Sequence, residues 1–209
     1  MEFKQAIDKH ANGKFIIVGC GTSALSMRGM ELPGIVTIGV NDAGGIIGLD
    51  YLLIVDYKTQ FSPDRMRIIS ETKCKTFISV NSDWDSIVNA AEKYKIILGD
   101  LALSHLDKQK YPDRIDYSNT STYMATIVAY KMGASKIGII GLDFTPNHYN
   151  YEDGVHKLVS KYNQLDPIRN SYKLLHEKLR ELGVEFYNLS KESLIDTIPK
   201  ISLDEFITY

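Results

Sequence analysis

Short runs rich in β-branched and aromatic residues alternate along this chain with longer stretches whose apolar residues recur at helical spacing. That alternation constrains the fold more than any other feature. The runs are KFIIVG at 14–19, IVTIGV at 35–40, YLLIVD at 51–56, KTFISV at 75–80, KIGIIG at 136–141 and VEFYN at 184–188, with a shorter KIIL at 95–98. Most are continuously apolar rather than alternating, as strands covered on both faces are. The expectation is an α/β, Rossmann-like fold: a mainly parallel sheet of about six or seven strands with helices on both faces. Helix boundaries are legible between the runs. Ser62-Pro63 and Asp166-Pro167 read as cap plus first turn, Ser202 and Glu205 as a capping box, and Gly133 and Gly183 as helix ends. From Asp166 onward, Ile168, Tyr172, Leu175, Leu179 and Leu182 form a stripe at helical spacing, which reads as core packing.

With 209 residues and neither a repeat nor a linker, the chain reads as one α/β domain over 1–209. A net charge of −2 gives no global footprint for nucleic acid or an anionic membrane. The apolar runs fall short of the roughly 18 residues of a membrane span. The charged start MEFKQAIDKH and two cysteines in no metal-ligand spacing, Cys20 and Cys74, point to a cytoplasmic setting. Two stretches lack periodicity, 100–118 and 146–164, and they carry His105, His148, His156 and many tyrosines. Irregular segments of that length are commonly functional loops, so a mobile loop is expected around 145–165.

Polar residues gather at predicted strand ends. Gly19 and Gly21 follow the first strand, with Thr22 and Ser23 opening what comes next. Such a turn can receive a phosphate on its N–H groups. The all-glycine dinucleotide fingerprint is missing, since Ala24 stands where the third glycine would be, and no P-loop lysine is present. The pattern reads equally well as a tight turn without a ligand. Asn41 and Asp42 end the second strand, Asp56 the third and Asp143 the GLDF strand. In open α/β sheets these carboxyl ends form one rim, where ligands bind. Each aspartate also reads as a cap for the following helix.

The segments GCGTSA, IGVNDA, LLIVDY, NTSTYMATIVAYKMGASKIGIIGLDF and EFYNLSKESLIDTIPKISLDEF together resemble one superfamily. It joins bacterial CMP-sialic-acid-dependent sialyltransferases to the MptE-like (6-hydroxymethylpterin diphosphokinase-like) family, which includes uncharacterised bacterial and phage members. The resemblance spans nearly the whole chain and is most specific over 120–144; the tail over 185–206 is closer to the MptE-like members. It implies a nucleotide held by Gly19, Gly21, Ser23, Asn41, Thr120 and Ser121, with Gly141, Asp143 and Phe144 beside the nucleoside. Tyr151 matches the second of two tyrosines that hold the donor phosphate in the sialyltransferases, while Thr145 stands at the first. Cys20 occupies a position where that family carries asparagine. A catalytic histidine follows in the loop, here His156 or His148, with His156 preferred.

Three functions fit these residues. The first is a small glycosyltransferase that moves a sugar from a CMP- or other NDP-sugar donor to an unnamed hydroxyl acceptor, with a histidine as base and no metal required. The second is an MptE-like pyrophosphokinase using ATP, with Mg²⁺ held by Asp42, Asp56 and Asp143. The third is a non-catalytic nucleotide-binding module. The acceptor is open, and an oligomer is compatible with the sequence. His10, His105 and His176 carry no expected role, with His176 placed on the exposed side of its helix. Trp84 reads as a packing residue at a helix start, and Cys20 as a small buried one.

Overall fold

The computed structural model describes residues 1–80, 82–100, 103–145, 149 and 165–208. Its centre is a seven-stranded sheet of β1 (Gly13–Val18), β2 (Ile35–Val40), β3 (Leu49–Ile54), β4 (Cys74–Ser79), β5 (Glu92–Lys95), β8 (Ala134–Ile140) and β9 (Glu185–Asn188). Their order across the sheet is β5-β4-β3-β2-β1-β8-β9, and every pairing is parallel. This is the expected Rossmann-like α/β architecture. The chain builds outward from β1 to β5, then returns to add β8 and β9 on the other side of β1. That reversal places a topological switch point between β1 and β8.

Alternation within each strand feeds two cores. Phe15 and Ile17 of β1 point to one face and Ile16 and Val18 to the other, all fully buried. The first face is covered by α2 (Ser121–Lys131) and α3 (Leu165–Glu181), the second by α1 (Pro63–Glu71) and α4 (Leu203–Thr208) with several 3₁₀ turns. Helix α2 is buried almost all round, from Thr122 to Ala129, because it is wedged between the sheet and further structure. The boundary signals work as physics says they should. Ser62 Oγ accepts the Arg65 N–H at 3.4 Å. Ser202 and Glu205 form a reciprocal capping box, with N–H bonds of 2.7 and 3.1 Å.

Four expectations shift. The third strand begins at Leu49 rather than at residue 51. The KIIL run splits at Ile96: β5 completes the main sheet, while β6 (Ile97–Gly99) pairs with β7 (Arg114–Asp116) in a separate two-stranded layer. Leu182 lies past the end of α3 and is 43% exposed, so the buried stripe is Ile168, Tyr172, Leu175 and Leu179. His176 is half-buried near Phe186 rather than exposed, and burial pushes its pKa down. No helix among the described residues is long and apolar enough to cross a membrane.

Candidate functional site

At the switch point the strand ends of β1 and β8 press together. The Gly19 N–H donates to Ile140 O at 2.8 Å and the Gly21 N–H to Gly141 O at 2.9 Å. A Cβ on Gly19 would lie 2.6 Å from Gly141 O, and Gly141 itself has a φ of +77°. Only glycine fits both positions. Past this contact the two chains diverge, and a cavity of about 540 Å³ opens above the carboxyl ends of β1, β2, β3 and β8. The residues just before and within the first turn of α2 close its far wall.

The cavity brings together Gly21, Asn41, Asp56, Thr120, Ser121, Gly141, Asp143 and Phe144, all singled out in the sequence. Gly19, Ser23 and Asp42 sit behind its surface. Tyr151, His148 and His156, and most of the loop expected around 145–165, lie outside the described residues. The sequence reading missed Arg65, Gln60, Tyr117, Ser118 and Asn119, which also line the cavity. Residues 117–119 directly precede the Thr120–Ser121 helix start, so contiguity alone could have found them. Arg65 carried no signal, being one basic residue on an amphipathic helix.

The β1 turn departs from its expected form. Thr22–Met27 is a 3₁₀ turn, not an α-helix, and its N–H groups already face an anion. Asp143 Oδ2 accepts the Ser23 N–H at 2.8 Å and the Thr22 hydroxyl at 3.3 Å, while Asp143 Oδ1 accepts the Ser23 hydroxyl. Ser23 Oγ and Ser190 Oγ lie 2.8 Å apart, and both accept the Gly141 N–H at 3.0 Å. The tail therefore buttresses the strand end that carries Asp143. Asp143 is 4% exposed and serves as an internal anchor of this wall.

Asp42 is likewise engaged. Its Oδ1 accepts Arg65 Nε at 2.8 Å and Nη2 at 2.6 Å, and the guanidinium stacks on Phe61 with 4.6 Å to the ring centroid. The Cys20 thiol, which also lines the cavity, donates to Val40 O at 3.4 Å and to Asp42 Oδ1 at 3.5 Å. Burial and the Asp42 charge push that thiol well up, which makes it a packing group rather than a nucleophile. Tyr149 returns over this corner, donating its N–H to Cys20 O at 3.1 Å and its hydroxyl to Asp42 O. Burial, then the Asp42 carboxylate, raise its pKa.

Two of the three aspartates expected to hold Mg²⁺ in the pyrophosphokinase alternative (Asp42, Asp56 and Asp143) are engaged by the protein itself. Asp42 is committed to a guanidinium and Asp143 to the Ser23 turn. Among the described residues no three His, Cys, Asp or Glu side chains gather as ligands. The α2 wall differs. Thr120, the residue before the helix, makes no capping bond; its hydroxyl lies 3.0 Å from Tyr172 Oη instead. The first turn carries no acidic residue. Two oxygens on cavity-lining residues, Asn41 Oδ1 and Thr145 Oγ1, are buried with no hydrogen-bond partner among the described residues. Asn41 and Phe144 have φ of +56° and +54°, left-handed conformations that cost energy in non-glycine residues and cluster at binding sites.

A parallel sheet with a polar cavity at its switch point defines a Rossmann-like α/β architecture, and solved structures narrow the fold further. The glycosyltransferase MAf from Magnetospirillum magneticum AMB-1 matches with a TM-score of 0.61 and 12% identity, over 92% of this chain and 34% of that one. The chain thus spans about a third of MAf's length. The Campylobacter jejuni sialyltransferase CstII matches as a variant in complex with CMP, with a TM-score of 0.51, 13% identity and coverage of 91% and 86%. CstII in complex with a trisaccharide acceptor and CMP matches with a TM-score of 0.50, 12% identity and coverage of 90% and 86%. The chain thus shares its fold with these glycosyltransferases, and identities this low establish the fold alone. No protein-family model matches the chain, and no curated protein matches its sequence. Nothing in these comparisons supports the MptE-like part of the resemblance.

Proposed function

We propose that this chain is a glycosyltransferase that moves a sugar from a CMP- or other nucleotide-activated donor to a hydroxyl acceptor. One observation carries the reading: the uncapped, acid-free first turn of α2 opens onto the switch-point cavity. Its N–H groups and dipole suit the donor phosphate. Asn41 Oδ1 accepts a hydrogen bond from the nucleoside, Thr145 Oγ1 bonds the ligand, and Gly141 and Phe144 pack beside it. The solved CstII structures with CMP support a nucleotide in this type of cavity.

In the proposed reaction a histidine, His156 in preference to His148, takes the acceptor hydroxyl proton. The acceptor oxygen bonds to the anomeric carbon as the bond from that carbon to the donor phosphate oxygen breaks. The nucleotide leaves with its charge held by α2 and by Tyr151. No metal enters this scheme.

Thermal-shift titration with CMP, UDP, GDP and ATP, each with and without Mg²⁺, tests the binding step. A nucleotide at 100 times its Kd adds about 2.7 kcal/mol of stability. Stabilisation by CMP or a diphosphate without Mg²⁺ is the expected result. Stabilisation by ATP only with Mg²⁺ overturns the reading in favour of pyrophosphoryl transfer. In a transfer assay, His156→Ala should lower turnover by roughly 10²–10⁴.

A further inference from the structure

The α2 wall of the cavity is reached through the small β6–β7 layer, which the main sheet does not include. Gly99 pairs with Asp116 there, and the Tyr117 N–H donates to Gly99 O at 3.1 Å. Asp116 is fully buried, and its Oδ1 accepts the Nδ1–H of His105 at 2.6 Å. His105 is 8% exposed and its imidazole packs against Gly99, where a Cβ would fall 2.5 Å from His105 Cε1. The Tyr111 ring stands edge-on at 4.9 Å. Asp116 Oδ2 has no partner among the described residues. The six residues that follow Asp116, from Tyr117 to Thr122, all line the cavity.

We propose that His105 and Asp116 are positioning residues for this wall: their hydrogen bond sets where Tyr117–Thr122 stands, and with it the anion-receiving start of α2. Neither residue touches the ligand. Asp116 is the last residue before the wall, and a buried carboxylate holds its place only while a donor meets it. His105 supplies that donor from a loop that is otherwise tied down separately, by fully buried Lys131, which donates to Tyr111 O at 2.5 Å and Arg114 O at 2.6 Å. The two ties are therefore separable. Lys131 secures the loop to the far end of α2, and His105 secures the near end of the wall. The binding consequence rests on the nucleotide reading above, whereas the positioning itself does not.

Hydrogen exchange of peptides covering 117–122 in the unliganded protein reads the wall directly, and CMP titration reads its consequence. His105→Phe keeps a ring and loses the N–H. It should raise exchange at 117–122 about tenfold, by local opening, and weaken CMP about tenfold. His105→Asn, which returns an N–H near the Nδ1 position, should bring both back to within about threefold of the parent. If His105→Phe does not fold, Asp116→Asn is read instead, with about threefold faster exchange expected. Unchanged exchange at 117–122 in the folded variant overturns the proposal, as does a Lys131→Met variant that reproduces the same local pattern. If the parent protein binds no CMP, the nucleotide reading fails for that probe, and the exchange arm alone decides the positioning.

Discussion

The two walls of the cavity handle the same physical problem in opposite ways. On the β1 side the N–H groups of a tight turn meet a carboxylate that the chain itself supplies, Asp143, 120 residues further on. On the α2 side the helix start has neither a capping bond nor an acidic residue in its first turn. A glycine turn after a first strand is the pattern that usually suggests a phosphate cradle. Here that cradle is filled from within, and the plainer Thr-Ser start faces the cavity without a side-chain cap or a carboxylate of its own. The difference teaches that an anion site is judged by what already satisfies its donors, not by its glycines.

The largest expected effect breaks the filled wall. Asp143→Ala leaves the Ser23 amide and the Thr22 hydroxyl without their acceptor, and should cost about 2–4 kcal/mol in denaturant unfolding. Unchanged stability with lost nucleotide affinity would reverse the roles of the two walls. Next comes Lys131 at the far end of α2, whose pKa burial pushes down to about 8 from an ordinary 10.5. Between those values the unfolded chain holds a proton that the folded one has released. Stability should therefore climb with pH over that window, by up to about 3 kcal/mol, and be lost as pH falls through 8. Tyr51 works the other way: burial raises it from 10.0 to about 12, so stability should fall again above pH 10. Urea melts from pH 7 to 11 should show a maximum near pH 10, and Lys131→Met should lack the rise.

A smaller effect is expected at Gly21, where a Cβ would stand 2.6 Å from the Asp143 carboxyl. Gly21→Ala should cost about 1–3 kcal/mol by overpacking, measured by thermal unfolding. Affinity for nucleotide should change less than stability does, because this wall is an anchor. The smallest stability change sharpens the comparison most. Ser121→Asp places a carboxylate at the start of α2 and should stabilise the fold by about 0.3–1 kcal/mol. The same charge should weaken nucleotide binding about tenfold in calorimetry, by repulsion of the phosphate. A variant that gains stability and keeps its affinity would remove α2 from the binding site.

Legibility tracked the range of the interaction. The parallel sheet was readable because each strand is a continuous apolar run, and the Ser62 and Ser202 caps because their partners lie within three residues. The rim was readable in outline, since strand ends fall where apolar runs stop. The KIIL run was misread as one strand because local pattern carries no information on which sheet a strand joins. His105 passed as a histidine without a role because its partner Asp116 ends a three-residue strand inside a stretch without periodicity.

By itself, then, the order of residues determined the layers, the strand ends and the helix starts, since these depend on propensity and burial over a few neighbours. Tertiary structure alone decided which of those ends remain chemically open. Asp143 closes over Ser23 across 120 positions, Arg65 over Asp42 across 23 and Ser190 over Ser23 across 167. A polar group's availability is set by whether a partner reaches it, and those partners arrive only when distant strands are brought side by side.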